Sequence, residues 1–450
     1  MIPRIVVAAP SSGAGKTTVA VGLMAALRRS GHTVAGFKVG PDYIDPGFHA
    51  VATGRPGRNL DPMLSGEERV APLFAHGSAG ADIAVVEGVM GLYDGALGTE
   101  GYSSTAHVAK LLQAPVVLVV DASAAGRSVG AVVQGFVAFD TGVRIVGVIL
   151  NKVGSDRHEA EVRAGVAPTG VPVLGVLRRD TRLTVPSRHL GLIPADEQRE
   201  QAETAVDAAA ELVRQGVDLE AFIAAARAAA SFEVTAWDPA EEVSPAEDGR
   251  PVIAMAGGPV FSFRYTETAE LLTAAGADVV TFDPLHESLP ETTSALYLGG
   301  GFPELHAEAL SGNVVLRQQV AAEIAAGLPV VAECAGLLYL CRELDGHQLT
   351  GVLPATARMT SRLSLGYRTA IAASTTSIFD EGRRVHGHEF HRTTVAFDED
   401  VSPAWYLPGG QEGIGRGQIH ASYLHLHWTA TPDVPARFVA AARVHAGLEK

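Results

Sequence analysis

The chain has 450 residues, with 35 Lys and Arg against 50 Asp and Glu, a formal net charge of -15 at pH 7, and 47% hydrophobic and 19% charged residues. At roughly 150 residues per domain this length allows two or three domains, and the make-up is that of a packed α/β protein, which excludes disorder, collagen and coiled coil. The acidic balance repels nucleic acid and anionic lipid at long range, so an anionic ligand has to find a local basic site.

A strand is expected at Ile5–Ala9, close behind Met1 and without the basic and apolar regions of a secretory signal, so export by that route is not expected. Strands follow at Val34–Val39, Ile83–Glu87, Val116–Asp121, Val143–Asn151 and Val173–Val176, alternating with helical stretches in the pattern of a parallel sheet. Most are apolar throughout, so helices should cover both sheet faces. The longest purely apolar run, near Ala114–Val120, falls far short of the roughly 20 residues that span a bilayer. An Ala-rich helical tail covers about Glu197–Ala230, and the acidic, Pro-containing stretch Phe232–Arg250 has no hydrophobic periodicity. A second α/β pattern restarts at Pro251–Ala256, with strands at Asp278–Phe282, Ala295–Leu298 and Pro329–Ala332 and helices around Tyr265–Ala275 and Val314–Ala326. The predicted organisation is a first domain over 1–231, a linker over 232–250 and a second domain over 251–450. Cys334 and Cys341 match neither a disulfide framework nor a four-ligand zinc pattern, which fits a reducing cytosol.

After the first strand comes Pro10-Ser-Ser-Gly13-Ala-Gly15-Lys16-Thr17-Thr18 and then a helix, the order of a P-loop. Gly13 and Gly15 let backbone N–H groups turn onto a polyphosphate, Lys16 reaches its terminal phosphates, and Thr17 offers a hydroxyl to Mg²⁺. Pro10 stands where the P-loop pattern has its first glycine. Asp42 and Asp45 follow the second strand and Glu87 ends the third, where Mg²⁺ of a bound nucleotide needs carboxylates; each could instead cap a helix. Asp94 could join them, and Asn151 could read adenine through its amide.

In the second domain, Glu333-Cys334-Ala335-Gly336 puts a cysteine on a sharp turn between strand and helix, which should expose the sulfur at a helix N-terminus and favour its thiolate. Backbone N–H groups of the Gly299–Gly301 turn, with that of Ala335, could hold a tetrahedral oxyanion. Near the end, His425 and His427 alternate as on a strand and share a face, giving two candidates for the base. Cys341 reads as core. His386, His388 and His391 do not have zinc-peptidase spacing, and a strand facing substrate or the domain interface fits them better.

Taken together, a P-loop domain followed by a Cys/His amidotransferase domain resembles the cobyrinic acid a,c-diamide synthases, whose aerobic-pathway counterparts act on hydrogenobyrinic acid. The matching stretches include Phe37-Lys-Val-Gly-Pro-Asp-Tyr-Ile-Asp-Pro46, Val86-Glu-Gly-Val-Met-Gly-Leu-Tyr-Asp-Gly95, Gly299 to Glu304, Glu333 to Gly336, Gly387-His-Glu-Phe-His391 and Ser422 to His425. The resemblance implies a first domain like dethiobiotin synthetase and a second like class I glutamine amidotransferases, in a cytoplasmic ligase of cobalamin biosynthesis. ATP with Mg²⁺ would phosphorylate the a and c acetates of a corrin ring, and ammonia from L-glutamine would displace phosphate. It implies Asp42, Tyr43, Ile44, Asp45, Glu87 and Asp94 for ATP-Mg²⁺ and the reacting carboxylate, Cys334 as nucleophile and His425 as its base. Ala332 and the sequence His425-Leu426-His427 depart from the G-x-C-x-G and His-Pro-Glu of class I amidotransferases, so a Cys/His dyad is implied rather than a triad.

A corrinoid polycarboxylate meeting an acidic protein needs local cations, for which Arg55, Arg58, Arg178, Arg179, Arg182, Arg188 and His189 are candidates. A homodimer is allowed; nucleic acid and membrane are not expected partners. Competing readings are a nucleotide-dependent switch with an inactive second domain, an ATP-regulated glutaminase, and the same amidation on another ring such as nickel sirohydrochlorin.

Overall fold

The computed structural model describes residues 2–179, 187–188, 191–192, 194–195, 197–244 and 249–449, and the chain divides into two compact units, Met1–Trp237 and Asp238–Lys450. The first unit is built on strands β1 (Arg4–Ala8), β2 (Val34–Val39), β3 (Arg58–Leu60), β4 (Ile83–Glu87), β5 (Val116–Asp121), β6 (Ile145–Val153) and β7 (Val173–Arg178). Their order is β3-β2-β4-β1-β5-β6-β7, all parallel. β1, β2 and β4 are buried along their whole length, which is why they are unbroken apolar runs rather than alternating ones. Helix α1 (Lys16–Arg29) leaves β1 and helix α2 (Asp45–Thr53) leaves the turn after β2. The carboxyl ends of three adjacent strands, β2, β4 and β1, therefore carry the Gly40–Asp45 turn, Glu87 and the P-loop.

The expected helical tail is two helices, Arg199–Gly216 and Leu219–Arg227, because Asp218 accepts the N–H of Ala221 at 3.0 Å and starts a new helix. Within the stretch read as linker, Trp237 is buried in the first unit, packs edge-on against His76 and donates its N–H to the Pro72 carbonyl at 3.0 Å. The short strands β8 (Ser187–Arg188) and β9 (Gly191–Leu192) pair antiparallel.

The second unit has a central sheet of β10 (Val252–Ala256), β11 (Asp278–Phe282), β12 (Thr293–Leu298), β13 (Val330–Glu333), β20 (Ile414–Arg416) and β21 (Ile419–Ser422). The order is β11-β10-β12-β13-β21-β20, parallel but for the β20–β21 pair. A second sheet joins β14 (Glu343–Leu344), β15 (His347–Gln348), β16 (Ala355–Ala372), β17 (Arg384–Phe397), β18 (Trp405–Leu407), β19 (Gly410–Glu412) and β22 (His425–Leu426). Its backbone is the long β16–β17 hairpin, and β22 pairs with β17 so that His388 lies opposite His425. Among the described residues no helix is long and apolar enough to cross a membrane.

In this second unit His388, His420 and His425 are buried and His391 is half-buried, and burial favours the neutral imidazole in each. Burial is the chief cause that lowers His388 and His391 to about 4, and His420 and His425 to about 3, from an ordinary 6.5. The unfolded chain takes up protons below pH 6.5 that the folded unit refuses, so their stabilisation is present above 6.5 and lost as pH falls toward 4. Each histidine should contribute a loss of about 1.4 kcal/mol per pH unit in that window. Urea unfolding across the window should show a falling midpoint, less steep than the histidines alone would give, because burial raises Glu333 to about 8 and Glu412 to about 7 and these carboxyls oppose the trend; a midpoint that rises as pH falls would contradict the burial of neutral imidazoles.

Candidate functional site

The P-loop turns on glycine. Gly15, the residue before α1, has φ +88°, and a Cβ there would stand 2.3 Å from Nδ2 of Asn151. The next residue, Lys16, is buried and donates to the Met90 carbonyl at 3.1 Å; Thr18 is half-buried in the same first turn. The loop after β4 folds over the P-loop, with Leu92 N–H donating to the Ala9 carbonyl at 2.9 Å and Asp94 accepting the Gly91 N–H at 3.0 Å. Burial, followed by the charge of Lys38, lowers Lys16, against the opposing pull of Glu87, Asp45 and Asp42.

Thr17 Oγ1 donates to Glu87 Oε1 at 2.6 Å and lies 3.4 Å from Asp45 Oδ2. Lys38 Nζ donates to Asp45 Oδ2 at 2.5 Å, Glu87 Oε1 at 3.0 Å and the Gly88 carbonyl at 3.1 Å, and His49 Nε2 meets Glu87 Oε2 at 2.8 Å. Burial alone would raise the Glu87 carboxyl, but Lys38, His49 and Thr17 outweigh it and hold it well below the carboxylate range. Asp45 is pushed up, first by burial and then by the charges of Asp42 and Glu87. Burial would lower Lys38, yet Asp45 and Glu87 raise it above its ordinary value. Thr17, Asp45 and Glu87 form a hard-oxygen donor set with two carboxylates, which fits Mg²⁺ held partly by nucleotide phosphates. Among the described residues no cluster of three His, Cys, Asp or Glu side chains is arranged to hold a metal by itself.

Several expected roles move. Asp42 spends Oδ1 on the backbone N–H groups of Ile44 and Asp45, at 2.8 and 2.9 Å, so it shapes the turn into α2, while Asp45 stands beside Thr17. Tyr43 and Ile44 are buried in that turn. Asn151 braces the P-loop, donating to Ala14 O and accepting from Lys152 N at 2.9 Å each, which uses one of its two N–H groups and one oxygen lone pair. Arg55 donates to the carbonyls of Gly77 and Ala79, and Arg178 pairs with Asp156 and Glu159. Arg58 is buried at the start of β3, and Arg179 donates its N–H to Val153 O. Arg182 and His189 lie outside the described residues, and Arg188 is placed by its backbone alone, opposite Gly191. The sequence pointed to neither Lys38 nor His49; a lysine inside an otherwise apolar strand was the available signal.

In the second unit Cys334 occupies φ +49°, ψ -96°, a strained conformation for a residue with a Cβ, at the turn from β13 into the helix Ala335–Leu340. Its N–H donates to the Ser422 carbonyl at 2.7 Å, and the backbone N–H groups of Gly301 and Ala335 point at its sulfur. Gly301 has φ +154°, and a Cβ there would meet the Val260 carbonyl oxygen at 1.8 Å. The expectation of an exposed thiolate is corrected: the side chain is 2% exposed, and burial, then the charge of Glu304, pushes the thiol up despite those two N–H groups. Burial dominates because the helix carrying this cysteine has six residues, all of them in the core.

His425 and His427 do not share a strand face. β22 ends at Leu426, and His427 enters a 3₁₀ turn, lies tilted against the Tyr265 ring and shares a 2.7 Å hydrogen bond with Thr429. His425 packs under the Gly300 backbone, where a Cβ would stand 2.2 Å from its Cε1, and its Nδ1 is 4.0 Å from Glu333 Oε2. Cys341 is core, donating to the Leu337 carbonyl. His386, His388 and His391 lie on β17, with His391 stacked 3.7 Å from Tyr423.

Residues 5–193 match the CobQ/CobB/MinD/ParA nucleotide binding domain, and residues 252–433 match the CobB/CobQ-like glutamine amidotransferase domain. Similar proteins include a hydrogenobyrinate a,c-diamide synthase of Thermobifida fusca, 54% identical over 98% of this chain and 97% of that protein. One of the same name from Streptomyces coelicolor is 55% identical over 98% of each chain. A cobyrinate a,c-diamide synthase of a Synechococcus strain is 40% identical over 99% of this chain and 100% of that protein.

Two outcomes follow from this geometry. Lys38→Met strands two buried carboxylates and should destabilise the chain by about 3–5 kcal/mol in denaturant unfolding; an unchanged midpoint would contradict the shared-cation arrangement. Without glutamine, Cys334 should be alkylated by iodoacetamide more slowly than free cysteine at neutral pH, with a rate still rising through about pH 9. A plateau already reached in mild acid would mean a preformed thiolate.

Proposed function

Since this chain belongs to the family of cobyrinate and hydrogenobyrinate a,c-diamide synthases, we propose that it is an ATP- and glutamine-dependent carbon–nitrogen ligase that amidates the a and c acetates of a corrin ring. We favour hydrogenobyrinic acid as the ring, because the relatives bearing that name reach 54–55% identity against 40% for the cobyrinate enzyme. A cytoplasmic location suits this chemistry. The observation that carries the reading is the presence, in one chain, of a P-loop with Thr17 held against Glu87 and a cysteine elbow facing two backbone N–H groups.

A carboxylate acylates nitrogen poorly because oxide would have to leave. Transfer of the γ-phosphoryl group of ATP to a carboxylate oxygen gives ADP and an acyl phosphate; ammonia adds to its carbonyl carbon, phosphate departs, and one ammonia proton is released. Catalysis of the first step is positioning and charge neutralisation. P-loop N–H groups and Lys16 hold the phosphates in this scheme, Lys38 fixes Asp45 and Glu87, and Asp42 shapes the turn that carries Asp45. Mg²⁺, held by Thr17, Asp45 and Glu87, would neutralise phosphate oxygens as charge moves.

In the second unit His425 takes the thiol proton while sulfur attacks the carboxamide carbon of glutamine. Gly301 and Ala335 N–H groups receive the oxyanion, each such donor being worth about 3–4 kcal/mol of barrier. The C–N bond then breaks, the proton passes from His425 to the leaving nitrogen, and water hydrolyses the thioester to glutamate.

Cys334→Ser should abolish glutamine-driven amidation while ammonium salts still support it at near wild-type rate, read as amide formed per ring by mass spectrometry. Loss of both together would count against two separate chemistries. Lys16→Ala should remove amidation from either nitrogen source by at least about 100-fold; survival of the ammonia reaction would count against activation by ATP.

A further inference from the structure

Glu333 ends β13 and directly precedes the nucleophile, and its side chain is buried. Oε2 accepts from the Tyr297 hydroxyl at 3.0 Å and lies 4.0 Å from Nδ1 of His425; Oε1 is approached by the Leu426 N–H at 3.4 Å. The carboxyl is therefore tied to β12 through Tyr297 and to β22 through Leu426, the residue after His425. The spacing that class I amidotransferases use for a third group is absent, since Leu426 and His427 follow the histidine. A carboxyl group nonetheless stands at ion-pair range from the imidazole, 4.0 Å from Nδ1 and beyond hydrogen-bond distance, on the residue that precedes the cysteine.

We propose that Glu333 is a positioning residue of the glutaminase reaction: from 4.0 Å its carboxyl group closes on Nδ1 of His425 as the imidazolium forms and stabilises its charge, while Nε2 takes the thiol proton. The inference rests on the reading of Cys334 and His425 as the glutaminase pair. Its physical need is plain. Thiol and imidazole are both buried, so moving a proton between them creates two charges in a region that disfavours each, and an adjacent carboxylate offsets the positive one. The pair His427 and Glu267, 3.8 Å apart, does not compete for this role, because His427 Nδ1 is engaged by Thr429.

Groups facing this centre include Tyr297 from β12, with Arg264 and Tyr265 acting on it, His388 and His391 from β17, and the Cys334 thiol with Glu304 beside it. Burial raises the Glu333 carboxyl to about 8, against the opposing hydrogen bonds from Tyr297 and Leu426. The carboxyl is neutral below that value and anionic above it, so glutamine turnover rises with pH through this region.

The test uses the full-length enzyme with ATP, Mg²⁺ and the ring substrate, comparing glutamine with ammonium salts. Glu333→Gln should lower kcat for glutamine by about 10–100-fold with little change in KM, flatten the rise near pH 8, and leave ammonia-driven amidation intact. Glu333→Asp should restore part of both the rate and the pH rise. Tyr297→Phe keeps the carboxyl but removes a hydrogen bond that favours its anion, so the rise should move to higher pH. Glutamine turnover within about twofold of wild type in Glu333→Gln, with the pH profile unchanged, overturns the proposal. So does an unmoved rise in Tyr297→Phe, should the glutamine variant fail to fold. If Cys334→Ser still consumes glutamine, the underlying glutaminase reading has failed instead.

Discussion

The buried Lys38 ammonium ties together the residues at the nucleotide end of this protein. Lys38 bridges Asp45 and Glu87, and through them reaches Thr17 on the first turn of α1 and His49 in α2. Taking such ions out of water costs several kcal/mol each, so the cluster persists only because each charge has a partner at hydrogen-bond distance. What that expense secures is position: the ends of β2 and β4, the start of α2 and the P-loop threonine are fixed relative to one another. Phosphoryl transfer depends on such placement far more than on any covalent contribution from protein. Asp45 and Glu87 are shifted in opposite directions, Asp45 raised by burial and Glu87 held low by Lys38, His49 and Thr17.

The second unit solves a different problem by backbone strain and burial. Cys334 is held at positive φ by the strand–helix turn and by its own N–H on Ser422, and the sulfur meets two N–H groups. Burial keeps the Cys334 thiol and the His425 imidazole neutral. In the proposed glutaminase reaction such groups react only when glutamine arrives and the proton moves, which limits attack by other electrophiles.

Much of this was legible in residues. β2, β4 and β5 lie where apolar runs placed them, because strands covered on both faces have no polar alternation to blur their ends. The P-loop was legible because its glycines answer a backbone need. Asp45 could not be told from Asp42, since which carboxylate faces Thr17 depends on how the turn into α2 closes. Asn151 looked free because its partners, Ala14 and the Lys152 N–H, are set by the packing of β6 against β5 and the P-loop. Trp237 hid in an acidic stretch whose composition says nothing of one buried anchor. The β16–β17 hairpin left little trace because much of β16 is exposed on both faces, and without it the register that sets His388 opposite His425 is invisible. Glu333 read as the flank of a cysteine motif, and only the fold brings it near the histidine.

The claim at the centre is that a ring carboxylate is phosphorylated before nitrogen arrives. It is tested most directly by supplying hydrogenobyrinic acid with heavy oxygen in its acetate carboxylates, together with ATP, Mg²⁺ and glutamine, and following the label by mass spectrometry. The account expects one labelled oxygen in inorganic phosphate for every amide formed. Amide formed with no label in the phosphate would contradict it.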